Sequence, residues 1–237
     1  MSVLVLAQLS AEDAKPTLVI AQLLVLFLGV GLHEYAHCKF ADLAGDPTPR
    51  YYGRVTLNLF KHFEITGTIM MIITVLAGFG LGWGKPSPMD PRKMKNPRWD
   101  WFVAVLAGPV SNFLQAIVYA ILFRLAIQTN FLATLPDEQL RFFLMIWLFF
   151  GVAINIGLGL FNLIPFGPLD GHWLLGLLLP EKQRLYWFRF NSRVGVPGLF
   201  IVILLLQLTH TSLMLGPIEY LSNLLLGPAL QQSPIRI

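Results

Sequence analysis

The sequence predicts an all-α polytopic membrane protein, and three observations support this class. Of the 237 residues, 55% are hydrophobic and only 13% are charged, and the mean hydropathy is +0.64. Soluble domains carry about 25% charged residues, so this composition excludes both a water-soluble globule and a disordered chain. Several stretches also approach the roughly 20 apolar residues that a membrane helix needs. The single cysteine excludes a disulfide framework and every multi-cysteine metal motif.

Four apolar stretches are long enough to form membrane spans, at residues 17–44, 101–127, 142–163 and 196–215. Gly45 and Pro47 end the first stretch, because a glycine followed by a proline terminates helices. A fifth apolar stretch, at residues 218–226, is too short to cross a membrane alone. The sequence therefore predicts a helical bundle of about four to six transmembrane segments.

Residues 63–84 form a segment whose path is ambiguous. They are long enough to span, but they are rich in β-branched residues and glycine, which are weak helix formers. Basic residues flank them on both sides, Lys39, Arg50, Arg54 and Lys61 before and Lys85, Arg92, Lys93, Lys95 and Arg98 after. Because basic loops concentrate on the cytoplasmic side, we expect a re-entrant segment, with a β-hairpin as one form that it could take. Re-entrant backbone also predicts a polar cavity nearby.

A metal-binding pattern lies at the end of the first apolar stretch. His33-Glu34-Tyr35-Ala36-His37 fits H-E-x-x-H, and residues four apart on a helix point the same way, so both imidazoles can bind one ion. Zinc accepts such ligands and leaves a position for water, from which Glu34 could take a proton. The alternative is a pair of structural histidines. Ionisable groups in a membrane are costly, which favours one functional Zn²⁺ per chain.

Asp170 is the candidate for a third protein ligand. It lies in residues 162–171, where two prolines prevent regular helix and two glycines allow tight turns. An Asp-Gly pair is also an ordinary turn signal. The re-entrant topology, however, puts Asp170 on the cytoplasmic half of the bundle together with His33 and His37, which favours the ligand interpretation.

These two motifs together resemble those of the site-2 protease family of intramembrane zinc metalloproteases. The pattern N-x-x-P-x-x-x-L-D-G matches residues 162–171 at every specified position. The sequence Ala-Gly-Pro-Val-Ser-Asn at 107–112, and parts of residues 82–98, resemble the short prokaryotic branch of the family. The resemblance covers most of residues 31–171. It implies a protein without appended PDZ or CBS domains.

The resemblance implies hydrolysis of peptide bonds in or near transmembrane segments of other membrane proteins. By analogy His33, His37 and Asp170 bind zinc, and Glu34 activates the water. The whole chain, 1–237, is then a single membrane-embedded metalloprotease domain, with a catalytic core at about 17–180 and C-terminal helices at about 187–230. An extended substrate segment could pair with a strand edge at residues 65–74.

Five further polar residues are weaker candidates. The resemblance suggests that Asn112 and Asn162 bind the substrate backbone or stabilise the oxyanion, although membrane amides also serve hydrogen bonds between helices. His62, Glu64 and His172 could each contact and orient a zinc ligand or move protons. Each could equally be an interfacial residue with a polar partner.

The expected partners are a transmembrane protein or peptide as substrate and membrane lipids. The net charge of +4 comes with no nucleic-acid motif, so no nucleic-acid partner is expected. The positive-inside rule predicts an active site towards the cytoplasm and an N-terminus outside. The compact architecture favours a prokaryotic source, and with it a location in the plasma membrane. The alternative functions are a transporter or ion carrier and an inactive scaffold of the same fold. The presence of all four core residues, His33, Glu34, His37 and Asp170, argues against the scaffold.

Overall fold

The computed structural model describes residues 11–77, 82–208, 215–227 and 229. Its helices, in chain order, are α1 (Ala11–Leu43), α2 (Thr48–Tyr51), α3 (Ile65–Leu76), α4 (Trp99–Gln128), α5 (Phe131–Thr134), α6 (Glu138–Asn162), α7 (Asp170–Leu178), α8 (Glu181–Leu208) and α9 (Leu215–Leu226). Short 3-10 turns occupy Leu59–His62 and Pro91–Lys93. The described ranges contain no strand. The chain is thus an all-α membrane protein, as its composition predicts.

Three of the described helices are long and apolar enough to cross a membrane, namely α1 from Lys15 onwards, α4 and α6. Each packs against the other two. Phe123 of α4 and Val152 and Ile156 of α6 lie in the apolar core between these two helices. Gly151 lets them approach closely, because a Cβ there would overlap the ring of Tyr119.

The segment predicted to re-enter the membrane contains a short helix, α3, and its two flanks meet; re-entry itself stays a prediction. α3 has 12 residues and is about 18 Å long, whereas a bilayer core is about 30 Å thick. The chain then returns to its starting point, where the Lys85 N–H donates to the His62 carbonyl at 2.7 Å. The β-hairpin, and the strand edge expected for substrate, are therefore wrong. A helix satisfies its own backbone polar groups in lipid, whereas a hairpin leaves both edges open.

A compact turn over residues 163–169 joins α6 to α7, where the prolines predict an interruption of the helix. Gly171 approaches the carbonyls of Leu163 and Ile164 so closely that a Cβ would overlap them. This contact folds the first turn of α7 back against the end of α6. Asp170, predicted in a bend, is consequently the first residue of a helix.

The C-terminal part of the bundle is described only in part. The predicted fourth span, residues 196–215, begins inside α8, and residues 209–214 lie outside the described ranges. The first half of α8 is rich in charge, with Glu181, Lys182, Arg184, Arg189 and Arg193. α9 follows and packs against α6 and α4.

Candidate metal centre

Two imidazoles from α1 face each other inside the bundle. His33 and His37 are one helical turn apart, with their Nε2 atoms 3.0 Å from each other and their rings perpendicular. Only 6% of His33 and 3% of His37 is exposed. The i, i+4 spacing brings both rings to one side of α1, as the motif predicts.

Asp170 joins the two histidines from the far end of the chain. Its Oδ2 lies 3.1 Å from His33 Nε2 and 3.3 Å from His37 Nε2. In the described part of the chain, these three residues are the group of potential metal ligands whose atoms all lie within 4.8 Å of one another. The turn after α6 and the close packing of Gly171 place the carboxylate there.

Hydrogen bonds on the far side of each ring fix where its proton sits. His33 Nδ1 donates to Asn112 Oδ1 at 2.7 Å, and His37 Nδ1 donates to the Ala104 carbonyl at 2.8 Å. A carbonyl oxygen can only accept, and Asn112 donates its own Nδ2 to the Gly29 carbonyl at 3.1 Å, so its oxygen must face His33. Both neutral rings therefore carry hydrogen on Nδ1 and a lone pair on Nε2.

When both rings are neutral, the three convergent atoms are all electron-pair donors with no hydrogen among them. Asp170 Oδ2 is buried and has no hydrogen-bond donor within the described residues. Its short distances to the two Nε2 atoms are hydrogen bonds only if a ring carries a second proton. Buried lone pairs that face one another without a cation are costly. Two imidazoles and one carboxylate are a ligand set that zinc accepts, with a fourth position left for water, so the residues fit this metal.

α4 holds the histidine rings from behind. Asn112 is fully buried and also donates to Asn155 Oδ1 at 3.0 Å, which ties α4 to α6. A Cβ on Gly108 would lie 2.8 Å from His33 Cε1 and would overlap the ring of His37. The absence of a side chain at this position gives the two imidazoles their room.

Glu34 is half-buried beside this cluster. Its Oε2 accepts a hydrogen bond of 2.7 Å from the Ser87 hydroxyl. Because Glu34 is three residues before His37, its side chain lies near the same face of α1. A carboxylate next to three residues that would hold zinc could accept a proton from a water molecule at this site.

The other predicted site residues lie away from the three convergent atoms. Asn162 donates to the Leu158 carbonyl one turn back on α6, at 2.9 Å. Glu64 accepts from Trp83 Nε1 at 2.6 Å at the start of α3. For both residues, contact with substrate or ligand stays a prediction. The Asn112 amide contacts His33, so this geometry supports a role in orienting that ring, and its oxyanion role also stays a prediction.

The two other histidines predicted to serve the site, His62 and His172, make backbone contacts. His62 is fully buried, donates from Nε2 to the Thr56 carbonyl at 3.0 Å and accepts from Arg54 Nε at 3.4 Å. Burial lowers the pKa of His62 below its ordinary value. His172 Nδ1 donates to the Leu169 carbonyl at 2.6 Å. The described contacts place neither ring on a zinc ligand.

Sequence reasoning missed Ser87 and Arg54 as residues near the site. Ser87 lies between two prolines in a segment without periodicity, and Arg54 was counted only as a basic loop residue although just 4% of it is exposed. Gly108-Pro109 in an apolar helix, by contrast, predicts a kink that could open room near the metal, and the structure places both imidazole rings against Gly108.

Comparisons with known proteins agree with this geometry. The model of peptidase family M50 matches residues 21–206, which include both histidines and Asp170. A relative named "Putative zinc metalloprotease YwhC", from Bacillus subtilis (strain 168), is 34% identical over 188 residues, which are 78% of this chain and 79% of the relative. No solved structure matches the chain. The chain therefore belongs to peptidase family M50, the site-2 protease family, and is a membrane-associated zinc metalloprotease.

Proposed function

We propose that the protein is an intramembrane endopeptidase that hydrolyses peptide bonds in or near transmembrane segments of other membrane proteins. One observation carries this proposal, the depth of the metal centre. His33 and His37 lie ten and six residues before the end of the apolar helix α1, which is about 15 and 9 Å along its axis. A peptide bond that reaches this centre must enter the bundle at membrane depth.

In this proposal His33, His37 and Asp170 hold the zinc ion. When zinc is bound, it supplies Lewis-acid chemistry that polarises the scissile carbonyl and makes water a better nucleophile. Asn112 keeps the His33 ring in the orientation and tautomer that a metal ligand needs. The Ala104 carbonyl does the same for His37. Burial by α4 and α7 limits access of bulk water to these groups.

Glu34 is the proposed general base and acid. Its carboxylate accepts a proton from the attacking water and then delivers that proton to the nitrogen of the leaving amine. One of its oxygens is already held by Ser87, while Oε1 has no hydrogen-bond partner among the described residues. The free oxygen is the one available for proton transfer.

The proposed location is a prokaryotic plasma membrane, with the active site towards the cytoplasm and the N-terminus outside. The hydrogen bond between Lys85 and the His62 carbonyl supports this topology, because it joins the two ends of the re-entrant segment. The basic residues that flank α3 therefore lie on one side. Basic loops are concentrated on the cytoplasmic side of membranes.

The proposed partners are a transmembrane protein or peptide as substrate and the surrounding lipids. A helical substrate hides its carbonyls in hydrogen bonds, so it must unwind locally before attack. The pairing of an unwound substrate with a strand edge at residues 65–74 is excluded, because those residues are helical in α3.

The proposal is tested with purified protein in proteoliposomes. The substrate carries one transmembrane segment, and a second substrate is a water-soluble peptide without it. We expect the wild type to cut the tethered substrate within or beside its apolar segment, and Glu34→Gln to lose this activity by about 100-fold or more while it retains zinc. Glu219→Gln, a change of the same kind at an exposed position on α9, is the control.

The outcomes distinguish intramembrane cleavage from proteolysis outside the apolar segment. Cleavage of the soluble peptide alone, with the tethered substrate intact, would leave a membrane-associated metalloprotease and refute intramembrane action. Full activity of Glu34→Gln would refute the assigned role of Glu34. Cleavage-site mapping by mass spectrometry decides whether the scissile bond lies in the apolar segment.

A further inference from the structure

An extended segment without helix or strand, residues 82–90, lies against the metalloprotease motif, and we name it the strap. Gly84 is buried against α1, where a Cβ would be 2.8 Å from Glu34 Cγ. Ser87 stands between Pro86 and Pro88, and prolines restrict both themselves and the residue before them to extended conformations. The sequence of the strap thus favours the shape in which it passes over Glu34.

A short chain of hydrogen bonds links the strap to Glu34. The Cys38 thiol donates to Ser87 Oγ at 3.2 Å, and Ser87 Oγ lies 2.7 Å from Glu34 Oε2 and 3.1 Å from the Glu34 carbonyl. A hydroxyl has a single proton, which goes to the nearer, charged acceptor. Ser87 Oγ thus accepts a hydrogen bond from the Cys38 thiol and donates its own proton to the Glu34 carboxylate.

The strap is held on both sides of Ser87 by buried polar groups. Arg54 Nη2 donates to the Lys85 carbonyl at 2.6 Å, and the Asp90 N–H donates to Asp46 Oδ2 at 2.7 Å. Arg54 is 4% exposed, and Asp46 is fully buried. Their burial fixes the strap at two points, so the position of the Ser87 hydroxyl is determined by the fold and not by the loop alone.

We propose that Ser87 is a positioning residue that holds the carboxylate of Glu34 in place for proton transfer, an inference that rests on the proposed function. The strap supplies a fixed donor to one carboxylate oxygen. Oε1 of Glu34 is left without a hydrogen-bond partner among the described residues. Its position is set because Oε2 is held by Ser87. A flexible glutamate would otherwise sample several rotamers, and a displacement of about 1 Å can cost about 100-fold in rate.

The test compares Ser87→Thr with Ser87→Val in the proteoliposome assay. These side chains have nearly the same shape and differ in a hydroxyl against a methyl group. We expect kcat of Ser87→Val to fall about 10- to 100-fold below that of Ser87→Thr, with KM and zinc content equal in the two variants. Ser192→Ala, at an exposed serine of α8, is the control for a general loss of hydroxyl groups.

A double-variant experiment gives the second readout. In the Glu34→Gln background, Ser87→Val should cause no further loss relative to Ser87→Thr, because the carboxylate on which the hydroxyl acts is gone. Equal kcat of the valine and threonine variants overturns the proposal. A valine variant that loses zinc or melts well below the threonine variant also overturns it, because Ser87 would then support the fold.

These results are distinguishable from failure of the proposed function itself. If wild-type protein leaves the tethered substrate intact, or if Glu34→Gln cuts it fully, the proposed function fails whatever the Ser87 variants do. If Glu34→Gln is inactive while the valine and threonine variants are equal, only the role of Ser87 fails.

Discussion

Adding one methyl group at Gly108 should disrupt the metal centre. Its Cβ would lie 2.8 Å from His33 Cε1 and would overlap the ring of His37. Carbon atoms in ordinary contact are about 3.5–4.0 Å apart, so the His33 ring must move by about 1 Å. Metal ligands keep their distances to within about 0.2 Å, so this shift exceeds what a zinc site tolerates.

The size of the effect follows from this displacement. Loss of a single outer contact to a metal-ligating histidine weakens metal binding by about 10- to 100-fold, and here both rings are displaced directly. We therefore expect Gly108→Ala to weaken zinc binding by about 100-fold or more and to reduce kcat/KM at least as much. The zinc dissociation constant is measured on detergent-solubilised protein by competition with a chromogenic chelator.

A glycine elsewhere in the bundle provides the matched control. The Cβ of Gly157→Ala, on α6, would meet only the far end of the Ile218 side chain, with Cδ1 at 3.3 Å. This variant should bind zinc as the wild type does. If Gly108→Ala also keeps wild-type zinc affinity, then α4 does not set the positions of the two rings, and the reasoning is refuted.

Two further predictions concern hydrogen bonds outside the ligand set. Asn112→Ala should weaken zinc binding by about 10- to 100-fold, because it removes the hydrogen bond that orients the His33 ring. Asn162→Ala is the control. It should leave the zinc affinity measured by chelator competition unchanged, because the Asn162 amide donates within α6. Burial lowers the pKa of His62 below its ordinary 6.5, so the folded state binds fewer protons than the unfolded state. Thermal stability should therefore fall as pH drops below about 6.5, and His62→Gln, which keeps a donor and an acceptor, should reduce that fall.

Each of these predictions has a contradicting outcome. Equal zinc affinity in the Asn112 and Asn162 variants would show that the hydrogen bond to His33 does not matter for the metal. An unchanged pH dependence of the melting temperature in His62→Gln would show that His62 is not the group responsible. Burial lowers the pKa of His172 as well, so a residual fall at low pH is expected in this variant.

The path of the re-entrant segment shows where local propensity was misleading. β-branched residues in 65–75 suggested a hairpin, yet this stretch is helical. The helix penalty of β-branched residues comes from restricted side-chain rotamers and is small, whereas lipid strongly favours a segment that satisfies its own backbone hydrogen bonds. The distribution of basic residues was the better guide, because it depends on which side a loop occupies and not on how the segment folds.

The roles of the weaker candidates depended on contacts that no local pattern encodes. Asn112 was recognisable as a polar residue in a span, but its bond to His33 joins residues 79 apart in the sequence. His62 was suspected of serving the metal, and the structure instead surrounds it with Arg54 and the Thr56 carbonyl. No sequence pattern pointed to Ser87, because its contact with Glu34 depends on the path of the strap across α1.

The sequence by itself determined that the chain enters the membrane and that two imidazoles face one side of its first helix. Both follow from quantities that are local, the apolar content of each stretch and the fixed rotation per residue of an α-helix. Only the tertiary structure decided which groups surround those rings. The crossing of α1 with α4 and the turn that presents Asp170 set the proton positions and leave three lone pairs converging on a space suited to zinc, because such contacts arise from packing between distant segments.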